Sequence, residues 1–527
     1  KSKPDKHSSP IRKKVVIINT KSYFYCNPAG YFAEFLSRKF MLNSKLIDIL
    51  KSFSKEEIKK FSEFLASPFH NKNKKAILLY EILSKHHPHY EHKNLTKENL
   101  FISIFTDSDK TSAFNDASIR NLLSDLMILA EKFLGHTEAE KDRFFFNEKI
   151  LKGLENRNLA GVFEKRIKTA EDVLNNNLFE GEEDFYKKFI LEELKSNNSQ
   201  YYDNLKLYKS DFILKASYYL TYYYLIRTFK MINFFEWQKQ YNIDQSSGIA
   251  VEILKGVNLD EIAEKTKARS SEDHEILSVY IKMYYALTDP GNDERYYSYK
   301  KILTEHDSLF SSLEKYGLYI CLANCCVQKI DMGNEKFNKE CFEVYKLMFG
   351  KKVFDAYPGY FSMTTYTAIL HTGLSSENYE EVEKFIENYS GRLNPEHRED
   401  ALNYSYAQLN FYKKQFGRSL EYISRTDTEF SNFKYHLKVL VLKIYYETED
   451  YDSMYYAADS FSHFLNKNKM VRGRYREEFS NFIKTLDLLV KYRLGKDEKL
   501  LFRIRKLTDG SNTASRNWLK KKFEEIK

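Results

Sequence analysis

Hydrophobic positions along most of the chain recur at the spacing of an α-helix. In the segment "IRNLLSDLMILAEKFL" (119–134), the apolar residues follow one another at intervals of 3, 4, 3 and 4: Ile119, Leu122, Leu126, Leu129 and Phe133. Because an α-helix has 3.6 residues per turn, these intervals place all five side chains on one helix face. A strand-like run occurs only at residues 15–19, "VVIIN". The pattern predicts an all-α protein.

Two short motifs predict where individual helices begin and end. Ser54 and Glu57 have the spacing of a capping box, in which each side chain satisfies a free amide of the other residue. The helix behind them is expected to stop before Pro68, because the residue before a proline disfavours helical geometry. Asn394 followed by Pro395 predicts another helix start, with an N-cap and a first-turn proline.

The most aromatic stretch is "SYYLTYYYLIRTF", residues 217–229, with five tyrosines between positions 218 and 224. Only eleven uncharged residues separate Lys215 from Arg227, whereas a membrane helix needs about 20. Platforms that stack nucleic-acid bases also need a positive groove, and cations here are isolated. We therefore expect a core helix that packs on both sides. Its predicted apolar face is Tyr208, Phe212, Ala216, Tyr219, Tyr223 and Ile226, widened by Tyr218, Tyr222 and Leu225.

A series of aromatic residues after polar turns suggests a repeat in the second half of the chain. The aromatics are Tyr296, Phe337, Tyr379, Phe416 and Tyr451, at spacings of 41, 42, 37 and 35 residues. Each interval accommodates one helical hairpin. A single helix pair cannot bury its apolar face alone, so the pattern predicts stacked pairs, each shielding its neighbours.

Two of these segments, "FYKKQFGRSLEY" and "IYYETEDYDSMYYA", resemble tetratricopeptide repeats. Phe416 and Tyr451 match the aromatic that follows the turn, and Ser419 matches the small residue behind it. Met454 departs from that small position, and neither segment has the closing proline. The N-terminal text "FSKEEIKKFSEFLASPFHNKNKK" is also similar to a group of large, uncharacterised bacterial helical-repeat proteins, a likeness that implies no activity.

The tetratricopeptide resemblance implies an α-solenoid of antiparallel helix pairs that captures a peptide or helix in a groove. Carried over to this chain, it nominates four partner-binding residues: Tyr412, Lys413, Lys443 and Tyr446. We expect a non-catalytic scaffold for a protein or peptide partner. The chain has none of the phosphate-binding, dinucleotide-binding, nucleophile-elbow or zinc-protease motifs, GxxxxGK, GxGxxG, GxSxG and HExxH.

Five segments differ in pattern along the chain. Residues 1–40 are expected to be a flexible basic arm or upstream sequence, with translation starting at Met41, the first methionine. An N-terminal helical domain is predicted for 41–136 and irregular hairpins for 137–289. The tetratricopeptide-like repeats cover 290–470. Capping helices follow at 471–527, with Trp518, Leu519 and Phe523 on the apolar face and Lys520 to Lys522 opposite.

The net charge of +9 suggests an alternative, a nucleic-acid-associated protein. The distribution of the charge along the chain makes this function the second choice. Residues 1–40 contain nine Lys and Arg against two acids, which leaves 74 basic and 72 acidic side chains in the rest. A nucleic-acid-binding domain normally has a basic face. Five cysteines in 527 residues are too few for a disulfide framework, which favours the cytoplasm.

Three further features could indicate a metal site or a membrane span, but each is expected to be an ordinary structural element. His86, His87, His89 and His92 surround Pro88, so we expect a solvated loop and no metal site. Cys321, Cys325, Cys326 and Cys341 are expected to be small buried hydrophobes. The uncharged run 356–376 contains too many polar residues for a membrane span and predicts an ordinary helix after a Pro-Gly loop. We expect no cofactor.

Overall fold

The protein is described by a computed structural model over most of its length. The described residues are 45–92, 94–105, 113–175, 177–198, 206–239, 248–356, 359–426, 431–467, 474–509 and 512–527. Within these ranges the chain is helical and has no strand, as predicted; the one β-bridge joins Phe179 and Phe310. The expectations for residues 1–40, for the "VVIIN" run and for a start at Met41 lie outside the described residues.

The chain divides into two compact units, residues 1–153 and 154–527, which we call unit 1 and unit 2. The described helices of unit 1 are α1 (Lys45–Ser52), α2 (Lys55–Ala66), α3 (Lys74–Ser84), α4 (Lys97–Phe105) and α5 (Asp116–Lys141), and α6 (Arg143–Glu155) runs across the boundary. The sequence-based boundary at 136 falls inside α5, which continues for five residues beyond it.

The local signals of unit 1 are confirmed. The Ser54 hydroxyl accepts a hydrogen bond from the Glu57 amide at 3.2 Å, and the Glu57 carboxylate accepts one from the Ser54 amide at 2.8 Å. The helix ends at Ala66, before Pro68. All five apolar positions counted along α5 are buried. They form a core around Phe61, whose ring centroid lies 5.1 Å from that of Phe133.

The described helices of unit 2 follow in chain order. They are α7 (Ala160–Asn175), α8 (Glu182–Asn198), α9 (Lys206–Lys239), α10 (Ile249–Lys255), α11 (Leu259–Lys267), α12 (Ser271–Thr288), α13 (Asp293–His306), α14 (Ser312–Asp331), α15 (Lys336–Gly350), α16 (Met363–Ser375), α17 (Tyr379–Tyr389), α18 (Pro395–Tyr412), α19 (Phe416–Ser424), α20 (Ser431–Glu447), α21 (Tyr451–Lys467), α22 (Arg474–Gly495), α23 (Lys499–Asp509) and α24 (Arg516–Ile526).

The tyrosine-rich stretch lies in α9, a 34-residue helix that packs on α8 and α12. Its buried side chains include Tyr222, Leu225, Ile226 and Phe229. Tyr224 on the other side is 37% exposed. Ala216 and Ile226 of the predicted face are also buried, and Phe212, Tyr219 and Tyr223 are half-buried. The side chain of Tyr208 lies outside the described residues. The helix is therefore packed along the described part of the predicted face, and the side left uncovered is the one that carries Tyr224.

Four turns between residues 290 and 470 share one backbone conformation. One residue in each turn has positive φ: Gly333 (96°), Glu377 (60°), Lys414 (58°) and Glu449 (59°). The amide of each donates to the carbonyl three residues earlier, at 2.8, 3.1, 2.9 and 3.2 Å respectively, and the next amide donates to the carbonyl five residues before itself, at 3.0, 3.1, 2.8 and 3.0 Å. This is the Schellman motif, which ends a helix and satisfies its last carbonyls. The same turn therefore recurs four times in this part of the chain, and the turn at Asn158 (55°), which follows α6, has the same two hydrogen bonds at 2.9 and 3.1 Å.

The aromatic series predicts helix starts correctly. Tyr296, Phe337, Tyr379, Phe416 and Tyr451 each lie within the first four residues of α13, α15, α17, α19 or α21. Ser419, the predicted small position, is fully buried, and its hydroxyl donates to the Ala407 carbonyl at 2.7 Å. A short side chain there lets α19 lie close to α18. Met454, at the corresponding position of α21, is also buried.

Two more predicted helices are confirmed. The Asn394 side chain accepts a hydrogen bond from the Glu396 amide at 3.1 Å and caps α18, whose first residue is Pro395. The uncharged run contains α16, which begins four residues after Gly359, and Gly359 has positive φ (108°). Among the described helices, none combines the length and apolar character that a bilayer span requires.

Candidate functional site

Three helices of unit 2 bring polar and aromatic side chains together. Helix α16 packs on α18, and α18 packs on α20. We use the name recess for the set His371 from α16, Tyr404 and Tyr412 from α18, and His436 and Lys443 from α20. These residues are 33 to 72 positions apart in sequence, counted from His371, so only the packing of the three helices joins them.

An imidazole–phenol hydrogen bond occupies the centre of the recess. The Nε2 atom of His371 lies 2.8 Å from the hydroxyl of Tyr404. Tyr404 is fully buried and its ring centroid lies 4.4 Å from that of Phe433. The ring centroids of His371 and His436 lie 6.3 Å apart, and the ring planes are inclined to each other by 47°. Tyr404 therefore fixes His371, while His436 is the more accessible imidazole.

Both imidazoles of the recess are neutral at pH 7. Burial, followed by the nearby His436 and Lys443, lowers the pKa of His371 to about 3. Burial and Lys443 lower the pKa of His436 to about 4, although its ring keeps solvent access. The recess thus offers neutral hydrogen-bonding groups.

Lys443 is the cation of the recess. Burial lowers its pKa to about 8, an effect that Glu447 partly offsets. Among the described residues Lys443 forms no ion pair, because Glu447 binds Lys522 at 2.8 Å and the Trp518 indole N–H at 3.1 Å. The ammonium lies 5.3 Å from the centroid of the Trp518 ring. It is mostly protonated at pH 7 and lacks a carboxylate of its own.

The four residues nominated by the repeat resemblance have different surroundings. Tyr412 and Lys443 belong to the recess, and Tyr412 is half-buried. Lys413 forms an ion pair with Glu383 at 2.7 Å. Tyr446 is only 1% exposed and packs against Trp518, so a partner could not reach its ring in this conformation. The tetratricopeptide resemblance implies that all four residues line the groove. It does not account for α24, whose Trp518 covers Tyr446.

Sequence reasoning missed His371, Tyr404 and His436. His371 had a signal, since it is the one titratable side chain other than tyrosine in the uncharged run 356–376. Tyr404 and His436 had none, because aromatic and histidine residues are common throughout this chain. Their grouping depends on helix packing and not on local spacing.

The histidines and cysteines that were considered as metal ligands lie among ordinary structural contacts. His87 lies 2.8 Å from the Phe53 carbonyl, and the rings of His86 and His92 lie 4.7 Å apart. Burial lowers the pKa of His86. Over the described ranges no cluster of three or more potential metal ligands occurs. The four described cysteines are buried and free, as predicted.

The C-terminal helix α24 packs on α22 and α23, with Leu519 fully buried. One part of its predicted pattern is wrong. The Lys522 side chain is 13% exposed and bound to Glu447, whereas the sequence pattern placed it on the polar face. The carboxylate of Glu447, 75 residues earlier in the chain, draws it inward. Lys520 is more exposed and lies 3.2 Å from Asp509.

The recess combines two imidazoles, two phenols and one ammonium group. A lysine with a pKa near 8 holds an anion when protonated and is a nucleophile when neutral. A nucleophile normally has a base in hydrogen-bond contact, and neither imidazole is hydrogen-bonded to Lys443. Among the described residues the ammonium of Lys443 has no ion-pair partner, and it lies near the rings of Phe411 and Trp518.

The low pKa values of the two histidines predict acid-sensitive stability. Below the ordinary histidine pKa of about 6.5, His371 and His436 are protonated in the unfolded chain but stay neutral in the folded recess. The contribution of the two neutral imidazoles to the free energy of unfolding is therefore complete above pH 6.5 and is lost as the pH falls toward 4. We expect the urea midpoint of unit 2 to fall less over this window in His371→Gln/His436→Gln than in the unmodified protein. The exposed His463→Gln is the control, and an equal fall in all three would contradict the assignment.

Comparisons with protein families, with curated proteins and with solved structures found no match to this chain. The geometry of the recess and the pattern of the helices therefore carry the functional argument.

Proposed function

We propose that unit 2 is an α-solenoid of stacked antiparallel helix pairs, with tetratricopeptide-like repeats over 290–470. The four equivalent Schellman turns and the five helix-starting aromatics support this arrangement. Packing of α16 on α18 and of α18 on α20 supports the stacking of every second helix. Such stacking creates an extended surface on which the first helices of each pair present side chains to one partner.

We propose further that the protein is a non-catalytic interaction scaffold, and that the recess captures a peptide or helix carrying an acidic side chain. The observation that carries this proposal is the ammonium of half-buried Lys443, which forms no ion pair with any described residue and shares the recess with neutral His436 and half-buried Tyr412. A carboxylate would supply the missing counter-charge. The imidazoles would bind backbone or side-chain polar groups, and Tyr412 would contact the apolar part of the partner.

Selection from a random peptide library tests this function. The full chain is used to select 12-residue peptides, and the enriched peptides are then measured against Lys443→Met. We expect them to contain an acidic residue and to lose about tenfold or more in affinity, since a hydrogen bond to a charged group is one of the stronger polar contacts. The substitution should not lower the stability of unit 2 at pH 7, because burial already disfavours this charge.

Lys413→Met is the matched control, because the neighbouring ammonium is paired with Glu383 and lies outside the recess. Peptides that bind Lys443→Met and Lys413→Met equally well would contradict the proposal. So would a selection that enriches no acidic residue.

The alternative, binding of nucleic acid, has less support. Several cations of the basic C-terminus are compensated, since Lys522 binds Glu447 and Lys520 lies near Asp509. A labelled single-stranded oligonucleotide distinguishes the two functions. Affinity that falls steeply with salt and is indifferent to Lys443→Met would favour nucleic acid over the peptide scaffold.

A further inference from the structure

A cavity of about 640 Å³ lies between α19, α20 and α21 of unit 2. Along α20 it is lined by Lys434, Leu437, Lys438, Val441 and Tyr445. At 100° per residue these positions lie about 180° around α20 from His436 and Lys443. The cavity is thus separate from the recess, and it falls within the range of about 300–1,000 Å³ typical of small-molecule sites.

The cavity has a cationic end. The ammonium groups of Lys434 and Lys438 lie 5.7 Å and 5.1 Å from the centroid of one ring, Phe464. Neither lysine forms an ion pair with any described residue. Like charges one helical turn apart repel each other and cost stability. Burial and the charge of Lys434 also lower the pKa of Lys438. Among the described residues, no carboxylate is therefore paired with this end of the cavity.

The polarity changes along the cavity. Helices α20 and α21 run in opposite directions, since Tyr435 packs against Phe464 whereas Tyr446 packs against Tyr451 beside the turn. The end near the turn therefore contains Asp452, which also lines the cavity. An anionic group is attracted to the lysine end and repelled by the Asp452 end. A ligand with one charged head has a defined orientation here.

The middle of the cavity is apolar. Leu437 is buried and Val441 half-buried along the floor, while Tyr456 of α21 is 82% exposed at the rim. From Lys434 to Tyr445 the floor extends about 16 Å at 1.5 Å per residue. A linear hydrocarbon chain could lie along it, and Tyr456 could fold over that chain.

We propose that this cavity binds a small amphipathic anion, with its charged head between Lys434 and Lys438 and its apolar chain along Leu437 and Val441 toward Tyr445. The head is a single carboxylate, sulfate or phosphate group, since two lysines bind each of these by charge and hydrogen bonds. The site does not depend on the proposed peptide function, because it uses the opposite face of α20.

Calorimetric titration of the full chain with three probes of equal chain length tests the proposal. The probes are dodecanoate, uncharged dodecanol and cationic dodecylammonium. The two ions are kept below the concentration at which they form micelles, and dodecanol is kept below its solubility limit. We expect one dodecanoate per chain and at least about tenfold weaker binding of the other two, because only the carboxylate satisfies the lysines. Decanesulfonate should also bind if the site accepts any anionic head.

Two variants locate the site. Lys434→Gln/Lys438→Gln should weaken dodecanoate binding about tenfold or more and leave dodecanol binding unchanged. Val441→Asp should remove both, because it places a charge on the apolar floor. Lys267→Gln/Lys301→Gln, two exposed lysines elsewhere in unit 2, is the control and should bind as the unmodified protein does. Far-UV circular dichroism checks that each variant is folded.

Three results would overturn the proposal. The first is no dodecanoate binding up to its micellar limit. The second is equal affinity for dodecanoate and dodecanol, which would show that the lysines do not recognise the head. The third is dodecanoate binding that survives Lys434→Gln/Lys438→Gln. Loss of peptide capture in Lys443→Met would not bear on this site, so the two proposals fail separately.

Discussion

Lys329→Met is expected to lower the free energy of unfolding of unit 2 by about 2–4 kcal/mol. The side chain of Lys329 is 2% exposed. Its ammonium donates to the carbonyls of Pro290 and Asn292 at 2.7 and 3.0 Å and to the Asp293 carboxylate at 2.8 Å. Methionine has a similar size but no donor, so two carbonyls near the start of α13 lose their partner. Asp293 retains Lys336, which limits the electrostatic part of the loss.

Urea unfolding followed by tryptophan fluorescence measures this effect. Both tryptophans, Trp237 and Trp518, are in unit 2, so their emission reports on this unit. Lys301→Met is the matched control, because that side chain is 75% exposed on α13. A Lys329→Met protein as stable as the control would show that the buried ammonium makes no net contribution to the free energy of unfolding.

Gly373→Ala is expected to destabilise unit 2 by about 1–3 kcal/mol, although alanine is the better helix former. A β-carbon at this position of α16 would lie 2.8 Å from Cε2 of Phe342 and closer still to Cγ2 of Val382. Both neighbours are buried, on α15 and α17, and have little room to move. Overpacking of this kind outweighs the gain in helix propensity.

Gly317→Ala is the control, because Gly317 is in the first half of α14 and a β-carbon there would meet no atom within 4 Å. That substitution should stabilise the protein by about 0.5–1 kcal/mol. The double variant Gly373→Ala/Val382→Ala should be less destabilised than the sum of its single variants, because the shorter side chain makes room for the new methyl group. Additive losses, or a stable Gly373→Ala protein, would contradict the close packing of α15, α16 and α17.

Elements with local signals were predictable from the sequence. The capping box at Ser54, the proline start of α18 and the apolar row along α5 are complete within one helix, so spacing alone reveals them. The aromatic series also predicts helix starts. The recurring Schellman turn was less visible, because glycine occupies only one of its four positive-φ positions and Glu377, Lys414 and Glu449 the others.

The candidate site was predictable only in part. The repeat resemblance nominated Tyr412 and Lys443, because in tetratricopeptide repeats the corresponding positions of the first helices line the groove. It could not show that Trp518, 72 residues after Tyr446, covers that ring, or that Glu383 binds Lys413. Nor could it pair His371 with Tyr404 across two helices.

The sequence by itself determined the helical class and many helix ends, because these follow from backbone hydrogen bonding and hydrophobic spacing within about 20 residues. The tertiary structure alone decided which polar groups meet, which lysines lack an acid, and where a glycine is required. Charge pairing and close packing depend on distances between helices that local spacing does not specify.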